Sequence, residues 1–318
     1  MIAFVLSGGG NRGALQVGAL QVLLEAGIRP EMLVGTSAGA LNAAFLAVDP
    51  TPAGAHRLGE IWEQVTKEDV YPGGPSRVAW HLATHRDSLY SSENFASFLR
   101  THTPEGVCFF RHLALPLYIT AADLHSGRLY LFGEDPDESI LEAILASSAI
   151  PPLFPPWPYR GSLLVDGGLA ANLPVRVAVE KGATEIYALE ACREAPPDRG
   201  NWNVWQVAAC SINALVRQQW ERDLALCAVH PEVTLCHLPL RSRHRLAFDD
   251  FGQAKALIAE GREAAKAYLA ASASLISISK ARVGLNGPGL YRRLGRRVGR
   301  LWGVLSPLAA RKGGVATR

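Results

Sequence analysis

The sequence has few cysteines, no repeats and no long apolar run. Its five cysteines form no CxxC pair in 318 residues, so neither a disulfide framework nor a zinc site is indicated, and we expect buried free thiols. No stretch reaches the ~18 consecutive apolar residues of a membrane-spanning helix. The apolar N-terminus lacks the basic residues of a signal peptide. We therefore expect a cytoplasmic protein.

Charge is unevenly distributed along the chain. Of the 32 lysines and arginines, 11 lie between Ala264 and Arg318, a stretch that contains no Asp or Glu. The rest of the chain carries all 29 acidic residues against 21 basic ones. A mildly acidic body with a basic C-terminal segment predicts that this segment meets an anionic partner. We assign residues 276–318 to this basic C-terminal segment.

Apolar runs alternate with helical patterns along the chain. Predicted strands are residues 2–6, 32–34, 116–120, 128–132, 163–165 and 184–189. Predicted helices are residues 14–26, 40–48, 139–149, 208–229 and 252–271. Strands that alternate with helices favour a mainly parallel α/β sheet.

A glycine loop follows the first predicted strand. Gly8, Gly10 and Gly13 satisfy G-x-G-x-x-G before a helix. A dinucleotide fingerprint also needs an acidic residue at the end of the second strand, but Glu31 precedes that strand. A P-loop is excluded because no G-K-[ST] follows. The remaining interpretation is an oxyanion hole, in which glycine N–H groups and a helix N-terminus stabilise an acyl-transfer intermediate.

The second predicted strand runs into the sequence GTSAG. Gly35 and Gly39 permit a strained strand-to-helix turn that would project Ser37 from the sheet edge. The alternative is a glycine-rich turn without a catalytic role. Because both glycine motifs follow strands that we predict to be neighbours, we expect them to share one crevice at the carboxyl edge of the sheet.

A serine nucleophile needs a base, and two kinds of candidate are present. None of the nine histidines lies in a glycine-framed turn after a buried strand. His230, His237 and His244 follow Ser37 in the order of a hydrolase triad, although surface or packing roles account for them better. Asp166 lies between an apolar run and Gly167-Gly168. Its carboxylate would project into the same crevice.

Together, the motifs GGGNRG, GTSAG and DGG resemble those of the patatin-like phospholipases. Flanking segments are also similar to that family, namely ITAADLHSG, ASSAIPPLFPP and DGGLAANLPV. The resemblance covers residues 1–190, with a weaker helical remainder to about 270. It implies a patatin-like acyl hydrolase domain over residues 1–275, folded as a three-layer α/β/α sandwich with a mainly parallel central sheet and followed by the basic extension.

The resemblance also implies roles for single residues. Ser37 would be the nucleophile and Asp166 the base of a Ser–Asp dyad that uses no histidine, metal or cofactor. Gly35 and Gly39 would frame the nucleophile. The implied oxyanion loop consists of Gly8, Gly9, Gly10, Arg12 and Gly13. The implied substrates are acyl esters of phospholipids or lysophospholipids. Leu153, Phe154 and Trp157 could line an acyl pocket or pack in the core.

Residues 289–305 form a basic amphipathic pattern. On a helical wheel, leucines and Val298 fall on one face, Tyr291 and Trp302 flank it, and five arginines lie opposite. This pattern is typical of an interfacial membrane helix, so we expect contact with an anionic membrane surface and a peripheral location on the inner membrane. Docking on the body of the protein and binding of nucleic acid are the alternatives, and we expect no nucleic acid.

Two rival functions remain open at the level of sequence. An acyltransferase could use the same acyl-serine intermediate. The related acyl-carrier-protein transacylases usually have His before the nucleophile, whereas Thr36 stands there in this sequence and favours hydrolysis. A catalytically silent lipid-binding protein is the second rival, and the intact motifs argue against it.

Overall fold

The computed structural model describes residues 1–84, 86–191 and 204–283. Within these residues, eight strands form one sheet. The strands are β1 Ile2–Leu6, β2 Met32–Thr36, β3 Leu117–Asp123, β4 Leu129–Phe132, β5 Trp157–Tyr159, β6 Ser162–Asp166, β7 Glu185–Ala191 and β8 Thr234–Leu240. Their order across the sheet is β5-β6-β3-β2-β1-β7-β8, and β4 pairs with β3.

The sheet is mainly parallel, as the sequence predicts. Strands β3, β2, β1, β7 and β8 are parallel neighbours, whereas β4, β5 and β6 extend the sheet by antiparallel pairing. The carboxyl ends of β1 and β2 therefore lie side by side, with Leu6 paired to Gly35. This arrangement brings the glycine loop and the GTSAG turn to one edge of the sheet.

Helices surround this sheet on both faces. They are α1 Gly13–Glu25, α2 Ala38–Val48, α3 Pro52–Gln64, α4 Lys67–Val70, α5 Pro75–Ala83, α6 Glu93–His102, α7 Ile140–Ser147, α8 Gly168–Ala171, α9 Val175–Glu180, α10 Val204–Val229 and α11 Ala254–Val283. Short 3-10 turns cover Gly10–Arg12 and Phe110–His112. None of the helices in the described part of the chain combines the length and apolar character that crossing a bilayer requires.

The alternation of β1 shows why the fold has three layers. Phe4 and Leu6 belong to a core shared with α1, α2, α3 and α11. Ala3 and Val5, on the opposite face of the strand, pack in a second core that includes Val175 of α9. Because successive side chains of a strand point to opposite faces, a strand that is apolar at every position needs a helical layer on each side. The predicted α/β/α sandwich is confirmed.

Three expectations from the sequence need comment. The free thiols are not uniformly buried, because Cys108 is exposed while Cys227 is buried, and burial raises the pKa of Cys227 to about 11. The predicted boundary between residues 275 and 276 falls inside α11. The proposed membrane segment at 289–305 lies outside the described residues.

Helices α1 and α11 approach each other at two glycines, which leads to a prediction about stability. A Cβ on Gly18 would lie 1.9 Å from the carbonyl oxygen of Ile258, and one on Gly261 would lie 1.9 Å from that of Leu15. Gly18→Ala should lower the free energy of unfolding by about 1–3 kcal/mol, because the helices must separate to admit the methyl group. Urea unfolding measures this loss. The control is Gly74→Ala, whose Cβ meets no atom within 4 Å, and equal stability of the two variants would contradict the close packing.

Candidate active site

Ser37 occupies a strained turn between β2 and α2. Its backbone has φ 54° and ψ −123°, a conformation that residues with a side chain rarely adopt. The turn is tight because α2 begins directly beneath it, and a Cβ on Gly39 would lie 2.4 Å from the carbonyl oxygen of Leu6. Only glycine fits at that position. Backbone strain of this kind is found mostly at functional sites, where surrounding contacts maintain it.

Hydrogen bonds from three other elements hold this turn. The N–H of Ser37 donates to Ser147 Oγ at the end of α7, at 2.7 Å. The hydroxyl of Thr36 donates to the carbonyl of Ala171 at 2.9 Å and contacts Thr120 Oγ1 at 2.6 Å. Since Thr36 has one hydroxyl proton, Thr120 is the donor in the second contact. The turn is thereby fixed to α7, α8 and β3.

Asp166 is the last residue of β6 and is only 7% exposed. Its N–H donates to the carbonyl of Ala149 at 2.9 Å, and its Oδ1 accepts from the N–H of Gly168 at 2.7 Å. The next N–H along the chain, that of Gly167, donates to the carbonyl of Ser147 at 3.3 Å. Ser147 therefore contacts both the Ser37 turn and the segment that carries Asp166.

Sheet register places Ser37 and Asp166 at the same edge of β3, because β4 occupies the other edge: residues 119–120 pair with both β2 and β4, and residues 121–122 pair with both β4 and β6. Thr36 pairs with Thr120, and Asp166 pairs with Ala121, the following residue of β3. The strands β2 and β6 therefore meet end to end along β3, and Thr36 and Asp166 pair with consecutive residues of it. With a rise of ~3.3 Å per residue along β3, this register brings the Ser37 turn and Asp166 directly next to each other. Unlike β2, the strand that carries Asp166 is antiparallel to β3.

The glycine loop lies against Ser37. A Cβ on Gly8 would be 3.2 Å from Ser37 Cβ and 2.7 Å from Asn172 Oδ1, so a larger residue at this position would displace the site. The N–H of Gly8 donates to the carbonyl of Asn172 at 3.1 Å. Gly10 adopts φ 59°, which favours glycine. The loop and the residues after Asp166 are therefore joined directly.

Several main-chain donors of the predicted oxyanion loop are already engaged. Gly8 donates to Asn172, Arg12 to the carbonyl of Gly9, and Gly13 to the carbonyl of Gly10. The described residues include no acceptor for the N–H groups of Gly9 and Gly10. Of the loop predicted from the sequence, Gly9 and Gly10 thus remain as the candidate donors to a bound anion.

The side chain of Arg12 contacts the segment that precedes α11. Its guanidinium donates to the carbonyl of Leu246 at 3.4 Å. The neighbouring Asn11 is buried, and its Nδ2 donates to the carbonyls of Ala247 and Asp250 at 2.7 and 2.6 Å. Both side chains secure the segment before α11 to the glycine loop.

The other candidate residues from the sequence are placed as follows. His237 lies 2.8 Å from Glu190 and His230 lies 2.8 Å from Glu232, and no histidine in the described part of the chain hydrogen-bonds to Ser37. Phe154 is buried and stacks on Tyr71, so it packs in the core. The described residues contain no group of three or more His, Cys, Asp or Glu side chains able to hold a metal ion.

Comparison with known proteins identifies the family. The model of the family described as patatin-like phospholipase matches residues 4–179, a range that includes the glycine loop, the Ser37 turn and Asp166. The chain belongs to the patatin-like phospholipase family. The match covers more than half of the chain, from the middle of β1 through β6 and into α9.

Three curated relatives of this chain are considerably longer than it is. Patatin-like phospholipase domain-containing protein 7 of Rattus norvegicus is 27% identical over 72% of this chain and 17% of its own length. Patatin-like phospholipase domain-containing protein 6 of Homo sapiens is 26% identical over 64% of this chain and 15% of its own length. An uncharacterized NTE family protein of Mycobacterium tuberculosis is 29% identical over 63% and 32%. The chain thus spans at most about a third of the length of these relatives.

Two solved structures are also similar to this chain. VipD from Legionella pneumophila gives a TM-score of 0.44 with 16% identity, and the match covers 85% of this chain and 66% of that one. The type III effector protein ExoU gives a TM-score of 0.40 with 16% identity, and the match covers 99% and 66%. The family assignment rests on the sequence match to residues 4–179.

The sequence did not point to all residues that build this site. Ser147 and Thr120 support the Ser37 turn, yet each stands in an ordinary helix or strand sequence. Ser147 falls within the segment ASSAIPPLFPP that resembles the family, which is the one signal that could have drawn attention to it. Thr120 likewise falls within the similar segment ITAADLHSG, although its contact with Thr36 depends on the pairing of β2 with β3.

Proposed function

We propose that this chain is a serine acyl hydrolase that cleaves acyl esters of phospholipids or lysophospholipids. The observation that carries the proposal is the position of Ser37, which is buried and strained at the carboxyl edge of the sheet. It packs against the glycine loop and lies next to Asp166 along the edge of β3. Membership of the patatin-like phospholipase family supports the lipid substrate. Ser37 is the nucleophile and Asp166 its base.

The reaction proceeds in two steps at Ser37. The Ser37 oxygen bonds to the ester carbonyl carbon while its proton passes to Asp166. The bond to the alcohol then breaks, and the alcohol leaves with that proton. Water attacks the acyl-serine, Asp166 takes the proton from the water, and the proton returns to Ser37 as the fatty acid departs. The same carboxylate serves both steps, so no histidine is needed.

The negative charge of each tetrahedral intermediate needs fixed donors. The N–H groups of Gly9 and Gly10 are suited to this role because they have no acceptor among the described residues. The N-terminus of α2 lies directly behind Ser37, where its partial positive charge favours an anion. Preorganised donors of this kind typically contribute about 10²–10³-fold to the rate.

A fluorophosphonate probe tests the proposal. The probe should label the wild-type protein at Ser37, as peptide mass spectrometry would show, and should not label Ser37→Ala. Analysis of the fatty acid released from phospholipids of defined sn-1 and sn-2 chains, and from the matching lysophospholipids, then identifies the substrate. Absence of both labelling and fatty acid release would reject the proposed hydrolase.

The same assays separate the two rival functions. An acyltransferase would be labelled by the probe but would transfer the acyl chain to an added alcohol acceptor in preference to water. A silent lipid-binding protein would bind vesicles without labelling or turnover. Thr36, which precedes the nucleophile and is held by Ala171 and Thr120, favours hydrolysis over transfer.

The basic amphipathic segment at residues 289–305 supports a further part of the proposal, attachment to an anionic membrane surface. Its arginines and its aromatic residues fall on the faces that an interfacial helix requires. We propose a cytoplasmic enzyme that binds the inner membrane peripherally. Flotation with phosphatidylglycerol vesicles should recover the full chain and lose a variant that lacks residues 286–318. Equal recovery of the two proteins would exclude the segment as the anchor. Equal binding of the full chain to neutral and to anionic vesicles would exclude an electrostatic anchor.

A further inference from the structure

Four uncharged polar side chains form a buried network behind the glycine loop. They are Ser7, Gln16, Asn42 and Trp62, each at most 4% exposed. Ser7 follows β1, and the other three belong to α1, α2 and α3. None of them is part of the reaction described above. Buried polar groups are costly unless they are hydrogen-bonded, so this network fixes the elements that it joins.

Gln16 is the centre of the network. Its Nε2 donates to the carbonyl of Ser7 at 2.8 Å and to the carbonyl of Leu189 at 3.1 Å. Its Oε1 accepts from Asn42 Nδ2 at 2.9 Å. One side chain thereby joins the end of β1, where the glycine loop starts, to the end of β7 and to α2.

Asn42 carries the same network to the other end of the loop. Its second Nδ2 proton goes to the carbonyl of Gly13 at 3.0 Å, and its Oδ1 accepts from the indole N–H of Trp62 at 2.7 Å. A primary amide has two donor protons, and both are used in Asn42 and in Gln16. Each amide therefore has a single orientation, and neither can rotate without losing two hydrogen bonds.

Ser7 connects the network to the residues that face Ser37. Its hydroxyl accepts from the N–H of Ala191 at 2.8 Å and donates to the carbonyl of Gly8 at 3.0 Å. The network thus holds Ser7 and Gly8 at the start of the glycine loop, through Gln16, and Gly13 at its end, through Asn42. Gly9 and Gly10 lie between these fixed points.

We infer that Gln16 is a positioning residue for acyl transfer, an inference that rests on the proposed hydrolase function. It sets the two ends of a flexible glycine loop so that the N–H groups of Gly9 and Gly10 face the developing oxyanion. A loop of glycines has little conformational preference of its own, so its donors are preorganised only when its ends are held. Gln16 touches no reacting atom and acts through Ser7 and Asn42.

Two glutamine variants on the same helix test this inference. Gln16→Met keeps the length of the side chain and removes the amide, which releases the carbonyl of Ser7 at the start of the loop and takes from Asn42 one of the acceptors that orient it. The kcat of ester hydrolysis should fall about 30–100-fold while KM changes less than about three-fold, because a displacement of about 1 Å at donors to the transition state costs up to ~10²-fold. Affinity for an alkyl boronic acid, which forms a tetrahedral adduct with the serine, should fall in parallel with kcat.

The control is Gln21→Met. Gln21 is also buried on α1, and its amide joins Ala55 of α3 and Arg262 of α11, away from the glycine loop. Its kcat should stay within about three-fold of wild type. If both variants lose kcat and boronate affinity equally at matched thermal stability, the role of Gln16 is general packing and the inference is overturned.

A milder variant covers the case in which Gln16→Met does not fold. Trp62→Phe removes the indole N–H that Asn42 accepts together with part of the ring system that packs against Gly13, so it is compared with Gln21→Met at matched thermal stability. It should lower kcat and boronate affinity together by about 3–10-fold, and unchanged values of both would overturn the inference. Failure of the hydrolase function itself is distinguishable, because the wild-type protein would then show neither fluorophosphonate labelling nor ester hydrolysis.

Discussion

Ser37→Ala and Asp166→Asn should each lower kcat/KM for ester hydrolysis by about 10⁴-fold, with little change in thermal stability. Alanine removes the nucleophile but leaves the backbone of the turn, whose N–H still donates to Ser147. Asparagine keeps an Oδ1 that accepts from the N–H of Gly168, and it cannot accept a proton from the serine hydroxyl. The two variants therefore test chemistry without removing the contacts that hold the fold.

The two losses should also differ in kind. Ser37→Ala should abolish covalent labelling by the fluorophosphonate, whereas Asp166→Asn should slow labelling because Ser37 is still present but lacks its base. Asp123→Asn is the matched control, since Asp123 ends the adjacent strand β3 and its carboxylate is occupied by the N–H and hydroxyl of Ser126, which lower its pKa. The kcat/KM of Asp123→Asn for ester hydrolysis should stay within about two-fold of the wild-type value. An active, folded Ser37→Ala protein would disprove the dyad.

The interior of the sheet could be predicted from the sequence because its strands are short apolar runs. Strands β1, β2, β3 and β7 contribute the buried centre, and each was recognisable from apolar residues bounded by turn signals. The two glycine motifs could be placed at one edge of the sheet because parallel neighbours end together. The fold class and the shared position of the motifs thus follow from local patterns.

The edge strand β4 was predicted, whereas two other edge strands, β5 and β8, gave no such pattern and were missed. They stand at the two ends of the strand order and contain Pro158 and Pro239, which a central strand excludes because proline cannot donate to the ladder. Residues of β8 are largely half-buried, so apolar periodicity is weak. Sequence patterns report burial, and strands at an edge are the least buried.

The sequence also could not show which N–H groups of the glycine loop already have hydrogen-bond acceptors. The resemblance to the family implied five residues for the oxyanion loop. Which N–H groups have acceptors depends on Asn172, which follows α8 more than 160 residues further along the chain, and on the short turn made by Gly10–Arg12. Long-range contacts of this kind leave no periodic signal, so only the structure reduces the candidate donors to Gly9 and Gly10.

Gly9→Ala should lower kcat by about 10²-fold, the largest effect that we expect from a loop substitution. A Cβ on Gly9 would lie 2.7 Å from Ala191 Cβ, so the loop must move away from the end of β7 and carry the Gly9 and Gly10 donors with it. KM should change little, because the donors act on the transition state. Steady-state kinetics on a soluble acyl ester measures both constants.

A second substitution distinguishes displacement of the loop from a general disturbance. Ala191→Gly removes the methyl group with which the new Cβ collides, so the double variant Gly9→Ala/Ala191→Gly should recover at least ten-fold of the lost kcat. Gly10→Ala is the comparison inside the loop, because its added Cβ meets no atom within 4 Å and its cost arises from the positive φ alone. If the double variant is no more active than Gly9→Ala, the contact with Ala191 does not position the loop. In our proposal, the packing of Gly9 against Ala191 at the end of β7 orients the Gly9 N–H towards the reaction at Ser37. That result would therefore remove the structural reason for assigning the Gly9 N–H to the oxyanion hole.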